Sequence, residues 1–180
     1  MDGSFPLGIC TAAALINVGV NPWIACLASF AAGAAAGCVT GRLHVKLPLT
    51  HLLSGILGLT ARYSGKLLIT GTKAIWPVLN LPTIFSSGLG GLLQTGLGKW
   101  SGLVMALIVC VVVKILVDLF LKTQSGLLLR ASGSNPQFVI SLGRDPGNMK
   151  ILGLMFGNGL TALSGCVMAQ QKESADVTAG

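Results

Sequence analysis

Apolar residues come in runs rather than in alternation. The runs are 5–20, 23–41, 49–70, 103–121 and 149–169, separated by short polar or Gly/Pro-rich segments. Continuous apolar runs near 20 residues predict membrane-spanning helices, whereas a membrane barrel would alternate apolar and polar positions. The first run, Phe5 to Val20, is short at about 16 residues and stops at Asn21-Pro22. It is therefore expected to be a broken or partial span, since a full one takes about 20 residues.

Each later run adds detail. Within Trp23 to Gly41, the glycines Gly33, Gly37 and Gly41 recur every fourth position. Small residues at this spacing let helix backbones approach closely, so this stripe is the expected packing face. Leu49 to Thr70 carries Arg62 and Lys66 towards one end, where cations can reach a membrane surface. Residues 71–100 form a long connection with Pro77, Pro82, Trp76 and Trp100, partly re-entrant over 88–102. Leu103 to Leu121 is interrupted by Lys114 and Asp118. At i, i+4 spacing they share a helix face and are expected to form an intramembrane ion pair. Such pairing offsets part of the about 2.5–3.5 kcal/mol that a central Lys costs.

Composition agrees with this pattern. Hydrophobic residues make up 52% of the chain and charged residues 9%, against about 25% charged in soluble domains. The predicted fold class is an all-α membrane protein of about five transmembrane or partly re-entrant helices. The net charge of +7 does not indicate nucleic acid, because the cations lie between apolar runs without interleaved aromatics. Counted by loop, Arg42, Lys46, Lys122, Arg130, Arg144 and Lys150 fall on one side. Lys73, Lys99 and Lys172 fall on the other. Loops rich in Lys and Arg face the cytoplasm, which places loop 122–148 there.

Catalytic and metal chemistry find no support in the residue pattern. Cys10, Cys26, Cys38, Cys110 and Cys166 all sit in apolar runs without CxxC spacing. They are expected to act as small embedded hydrophobes. His44 and His51 are separated by Pro48, and no HExxH, paired carboxylates or nucleophile motif occurs. No enzyme, cofactor or metal site is expected.

The loop 122–148 carries local signals of its own. Ser134 or Asn135 can cap a helix, and Pro136 suits its first position. Gln137 to Leu142 gives one to two turns, with Phe138, Val139 and Leu142 on one side, and Gly143 ends it. Asp145-Pro146 then starts the next helix. The result is a short helix between two spans, presenting apolar and basic groups.

The pattern RASGSNP…SLGRDPGNMKILGL…N…ALSG, with Asp2-Gly-Ser-Phe-Pro-Leu-Gly8, GCVTGRLHVK over 37–46 and Leu52-Leu-Ser-Gly-Ile-Leu57, resembles a known family. It is similar to permease subunits of bacterial ABC importers in the branched-chain amino acid and ribose permease superfamily, most of all the tryptophan/tyrosine transport branch. The resemblance implies a single permease domain over 1–180 in the bacterial inner membrane. It implies transport of a small, amino-acid-like solute by alternating access, powered by a separate ATPase subunit. A periplasmic or lipoprotein binding protein would deliver the solute, and the permease would form a homodimer. Ala131 to Gly143 would be the coupling helix, with Arg130, Ser132, Asn135, Pro136 and Gly143 matching the family's loop. Asp2, Ser4 and Phe5 match a helix start near the translocation path, and Asn158 matches a polar position after the coupling loop. Family members carry a further helix before and several after, so the chain is expected to be truncated at both ends. The alternative is a truncated, non-transporting membrane assembly protein.

Overall fold

A computed structural model describes residues 3–46, 55–56, 58–60, 75–77, 83–84, 100–172 and 174–176. Six helices are labelled among them. These are α1 (Ser4–Asn17), α2 (Pro22–Lys46), α3 (Ser101–Lys122), α4 (Gln124–Ser134), α5 (Pro136–Ser141) and α6 (Pro146–Lys172). Residues 55–56 and 58–60 are also helical. Two three-residue strands, β1 (Ile75–Pro77) and β2 (Ser174–Asp176), pair antiparallel with Trp76 opposite Ala175. The molecule is an all-α membrane protein, with one small ladder among its described residues. The described helices α2, α3 and α6 are each long and apolar enough to cross a membrane. Most of the expected span 49–70, and Arg62 and Lys66 with it, lies outside the described residues.

The break at Asn21-Pro22 has a defined structure. Gly19 adopts φ +86°, and its N–H donates to Ile16 O (3.0 Å) while Val20 N–H donates to Leu15 O (3.1 Å). This double closure satisfies the last carbonyls of α1 and needs a left-handed residue, the conformation in which glycine is least strained. Pro22 then opens α2, where its missing N–H costs nothing.

Helices α1, α2 and α6 form the core. Gly33, Gly37 and Gly41 of α2 lie against Asn158/Ala162, Leu154/Met155 and Ile151 of α6 in turn, so the two helices run antiparallel. Along α1, Ser4 meets Asn158 and Gly8 meets Ala162, so α1 runs parallel to α6. Ile9, Ala13 and Ile16 of α1 pack with Ala25 and Ala169. At 1.5 Å per residue, Asn158 lies about 18 Å along α6 from Pro146. The start of α1 therefore sits beside the middle of α6 rather than at its end.

Helix α3 stands apart from this core. Only Met105 of it is buried, packed with Ala12, Cys26, Ile84 and Cys166. Leu103, Leu107, Val111, Ile115 and Leu119 are exposed, an apolar face suited to lipid tails. At its far end Phe120 stacks on Phe156 of α6 (4.1 Å between centroids, 13° between planes). Phe156 in turn meets Phe30 of α2 edge-on at 5.9 Å.

Candidate functional site

Two regions carry the residues singled out by the sequence. The first is the α2–α6 contact. A Cβ built on Gly37 would lie 2.5 Å from Leu154 O and 2.9 Å from Met155 Cα. On Gly33 it would lie 2.6 Å from Asn158 O, and on Gly41 3.1 Å from Ile151 Cα. The nearest atoms are backbone at Gly37 and Gly41, and Ala162 Cβ with Asn158 O at Gly33, so the stripe works by the absence of side chains on α2.

Ser4 and Asn158 come together on the inner side of α6. Ser4 Oγ–H donates to Asn158 Oδ1 at 2.6 Å, and Asn158 Nδ2–H donates to Leu154 O at 2.7 Å. Both side chains are buried, so they join α1 to α6 inside the bundle. Phe5 is half-buried, its carbonyl against Gly165. Asp2 lies outside the described residues. A level further along α1, Thr11 and Ser29 hydroxyls share a 3.0 Å bond, and Ser29 Oγ–H also donates to Gly8 O at 3.2 Å. These bonds satisfy buried and half-buried polar groups inside the bundle.

The Lys114–Asp118 pair takes a different form from that expected. Both side chains are exposed on α3, and no ion pair joins them among the described residues. Helical spacing permits contact but does not enforce it, and both groups lie on a helix that buries only Met105.

The second region is the α4–α5 segment between α3 and α6. Thr123 caps α4 by accepting from Gly126 N–H (3.4 Å). A Cβ on Gly126 would lie 2.5 Å from both Leu121 Cα and Phe120 O, so glycine lets α4 fold tightly back on the end of α3. A side chain on Gly153 of α6 would touch Leu129 at 3.1 Å, which seats α4 beside α6. Asn135 then interrupts the helix in an extended conformation. Its Oδ1 accepts from the N–H groups of Gln137 (3.1 Å) and Phe138 (3.3 Å), and Pro136 follows at the first position of α5. Gly143, at φ +70°, closes α5. Its N–H reaches Ile140 O at 2.9 Å, and Arg144 N–H reaches Val139 O at 3.1 Å. Asp145 Oδ1 accepts from Gly147 N–H at 2.9 Å and starts α6.

The expected single coupling helix Ala131 to Gly143 is thus two helices meeting at Asn135. Phe138 and Leu142 share the exposed side, but Val139 is fully buried. Adjacent helix positions differ by about 100°, so Val139 turns away from that side and anchors α5. Ser132 is buried as well, while Arg130, Asn135, Pro136 and Arg144 are exposed. Phe138, Ile140 and Leu142 are 52%, 59% and 54% exposed, which makes α5 largely apolar on its outer surface. A cavity of about 360 Å³ beside it is lined by Gln124, Leu127, Leu128, Leu142 and Arg144. The end of α2 is close, since a side chain on Gly147 would meet Val45.

Helix α4, the Phe120–Phe156 stack and the role of Gly126 carry no local signal in the sequence. Among the described residues no group of three or more His, Cys, Asp or Glu could hold a metal.

Comparison with known proteins matches the whole chain. The sequence profile described as "Branched-chain amino acid transport system / permease component" covers residues 1–180. A "Tyrosine transport system permease protein" of Clostridioides difficile (strain R20291) is 41% identical over 179 residues, 99% of this chain and 57% of the relative. "Uncharacterized protein RP368" of Rickettsia prowazekii (strain Madrid E) is 31% identical over 180 residues, 100% of this chain and 60% of the relative. The chain therefore spans somewhat over half the length of these relatives. No solved structure matches it. With its apolar helices and a match along all of its residues, the chain belongs to the family of branched-chain amino acid transport system permease components.

Proposed function

We propose that the chain serves as the membrane-spanning permease domain of an ATP-driven importer, with α4–α5 as its docking element for a separate ATPase subunit. The observation that carries this reading is the α4–α5 segment. It is held at one end of the bundle by a cap, a tight glycine turn and a left-handed closure. It offers exposed Phe138, Ile140 and Leu142 with Arg130 and Arg144 nearby in sequence. Apolar anchors ringed by charge are what a partner groove can seat. Rigid attachment would let a push on α5 reach α6 through Val139 and α4. The 180 residues contain no GxxxxGK[ST] phosphate loop, and the energy would come from a separate ATPase subunit.

The solute would be amino-acid-like. The support is the family and the name of the Clostridioides difficile relative. A periplasmic or lipoprotein binding protein would deliver it, and two permease copies would enclose the path. The chain would lie in the bacterial inner membrane with loop 122–148 in the cytoplasm, as the distribution of Lys and Arg favours. Alternating access would follow when two ATPases close and draw two α5 helices together.

The test is ATP hydrolysis by the complex reconstituted in vesicles with its binding protein. Binding protein loaded with an aromatic or branched-chain amino acid should stimulate hydrolysis, and the solute should accumulate inside. Unchanged hydrolysis across a panel of amino acids would contradict the solute assignment.

A further inference from the structure

The α2–α6 face extends past its glycines. Cys26 lies seven residues before Gly33 and Cys166 four residues after Ala162, so the same antiparallel register brings the two cysteines together. Their sulfurs are 3.2 Å apart and both side chains are buried. Gln170, one turn beyond Cys166, donates from Nε2 to Cys166 Sγ (3.2 Å) and Cys26 Sγ (3.5 Å). Its Oε1 accepts from Ile84 N–H at 3.0 Å, which fixes the amide over the sulfur pair. Met105 and Ala12 close the surrounding shell.

Helix pairs commonly pack with axes 8–10 Å apart. A disulfide needs Cα atoms about 5.5–6 Å apart and Cβ atoms about 3.8 Å apart. At Gly33 an added Cβ would meet Ala162 Cβ and Asn158 O, so the missing side chain lets these two helices approach closely, and the thiols on the same face meet as a result.

We propose that Cys26 and Cys166 form a modification site, a redox-closable pair whose disulfide staples α2 to α6. The oxidant is a two-electron acceptor of the diazene class. One sulfur gives up its proton and adds to the oxidant, and the second sulfur then displaces the reduced oxidant from the first. Two S–H bonds break and one S–S bond forms. Both protons and both electrons leave on the hydrazine. A dithiol reverses the step by exchange. The pair sits at the end of the α2–α6 contact opposite Val45 and Gly147. On the orientation proposed above, that end faces the oxidising side of a bacterial inner membrane. The pairing itself does not depend on that orientation.

The experiment uses the full chain in native membranes, reduced and then treated with diamide. The sample is denatured with N-ethylmaleimide, digested and mapped by mass spectrometry without reduction. The expected result is one dominant Cys26–Cys166 peptide within a single chain, with loss of both alkylatable thiols and their return on dithiothreitol. C26A and C166A should each abolish the link, and C110A, an exposed position outside the cluster, should keep it. Full alkylation of Cys26 and Cys166 after diamide in the unsubstituted chain would overturn the proposal. A dominant link through Cys10, Cys38 or Cys110, or between chains, would overturn it equally. Either result leaves ATPase docking untouched, since docking is read by subunit association.

Discussion

Gly37 and Gly133 are both helical glycines, yet alanine at each is expected to shift stability in opposite directions. At Gly37 the added methyl meets the backbone of Leu154 and Met155, which cannot yield without parting α2 from α6. Overpacking of this kind costs about 1–3 kcal/mol. At Gly133 nothing lies within 4 Å, and alanine favours a helix over glycine by about 0.5–1 kcal/mol. Thermal unfolding in detergent should place G37A below the unsubstituted chain and G133A level with it or above. Equal losses at both would mean that the α2–α6 approach is looser than described. The four-residue glycine spacing was readable in the sequence as a packing face. Its partner was not, because Leu154 and Ile151 are more than a hundred residues away and nothing local marks them.

At the scale of elements, local chemistry made some boundaries legible and tertiary contact hid others. The break at Asn21-Pro22, a cap at Ser134 or Asn135 and the stop at Gly143 each rest on residues with a distinct backbone preference. They could therefore be read directly. Helix α4 could not, because QSGLLLRASGS holds two glycines and three serines and reads as a loop. It is helical where Thr123 caps it, Gly126 lets it fold against α3, and Leu129 rests on Gly153. The Ser4–Asn158 and Cys26–Cys166 contacts, 154 and 140 residues apart, were equally invisible. Removing the Asn135 side chain isolates the effect of one cap. N135A should weaken α5 by about 1 kcal/mol, seen as faster hydrogen exchange at the amides of Gln137 and Phe138. Exchange in α6 should stay unchanged, and N135D should retain protection. Matching acceleration throughout α6 would show that α5 is not a separate element.

For the whole molecule, topology and docking are linked. If α4–α5 faces the cytoplasm, Gln137→Cys should react with an impermeant maleimide in inside-out vesicles and stay protected in intact spheroplasts. Among the native thiols only Cys110 is exposed, so C110A is the background for that measurement. The reverse labelling would invert the orientation and remove the ATPase from reach of α5. Val139 is buried and α4 folds tightly back on α3 at Gly126, which matters here because on the proposed reading the docking element must transmit force as well as bind.

Association with an ATPase subunit tests the proposed docking role most directly. The full permease would be captured by affinity from membranes together with the proposed ATPase subunit, comparing the unsubstituted chain with F138E and L142E. Both side chains are exposed, so neither change should disturb folding, which hydrogen exchange in α6 can verify. A charge in the seat of an apolar anchor typically costs more than 2 kcal/mol of binding. The expected result is at least about a tenfold loss of captured ATPase for each variant, since each 1.4 kcal/mol is tenfold. Undiminished capture by both variants, with α6 protected as before, would contradict docking through α5.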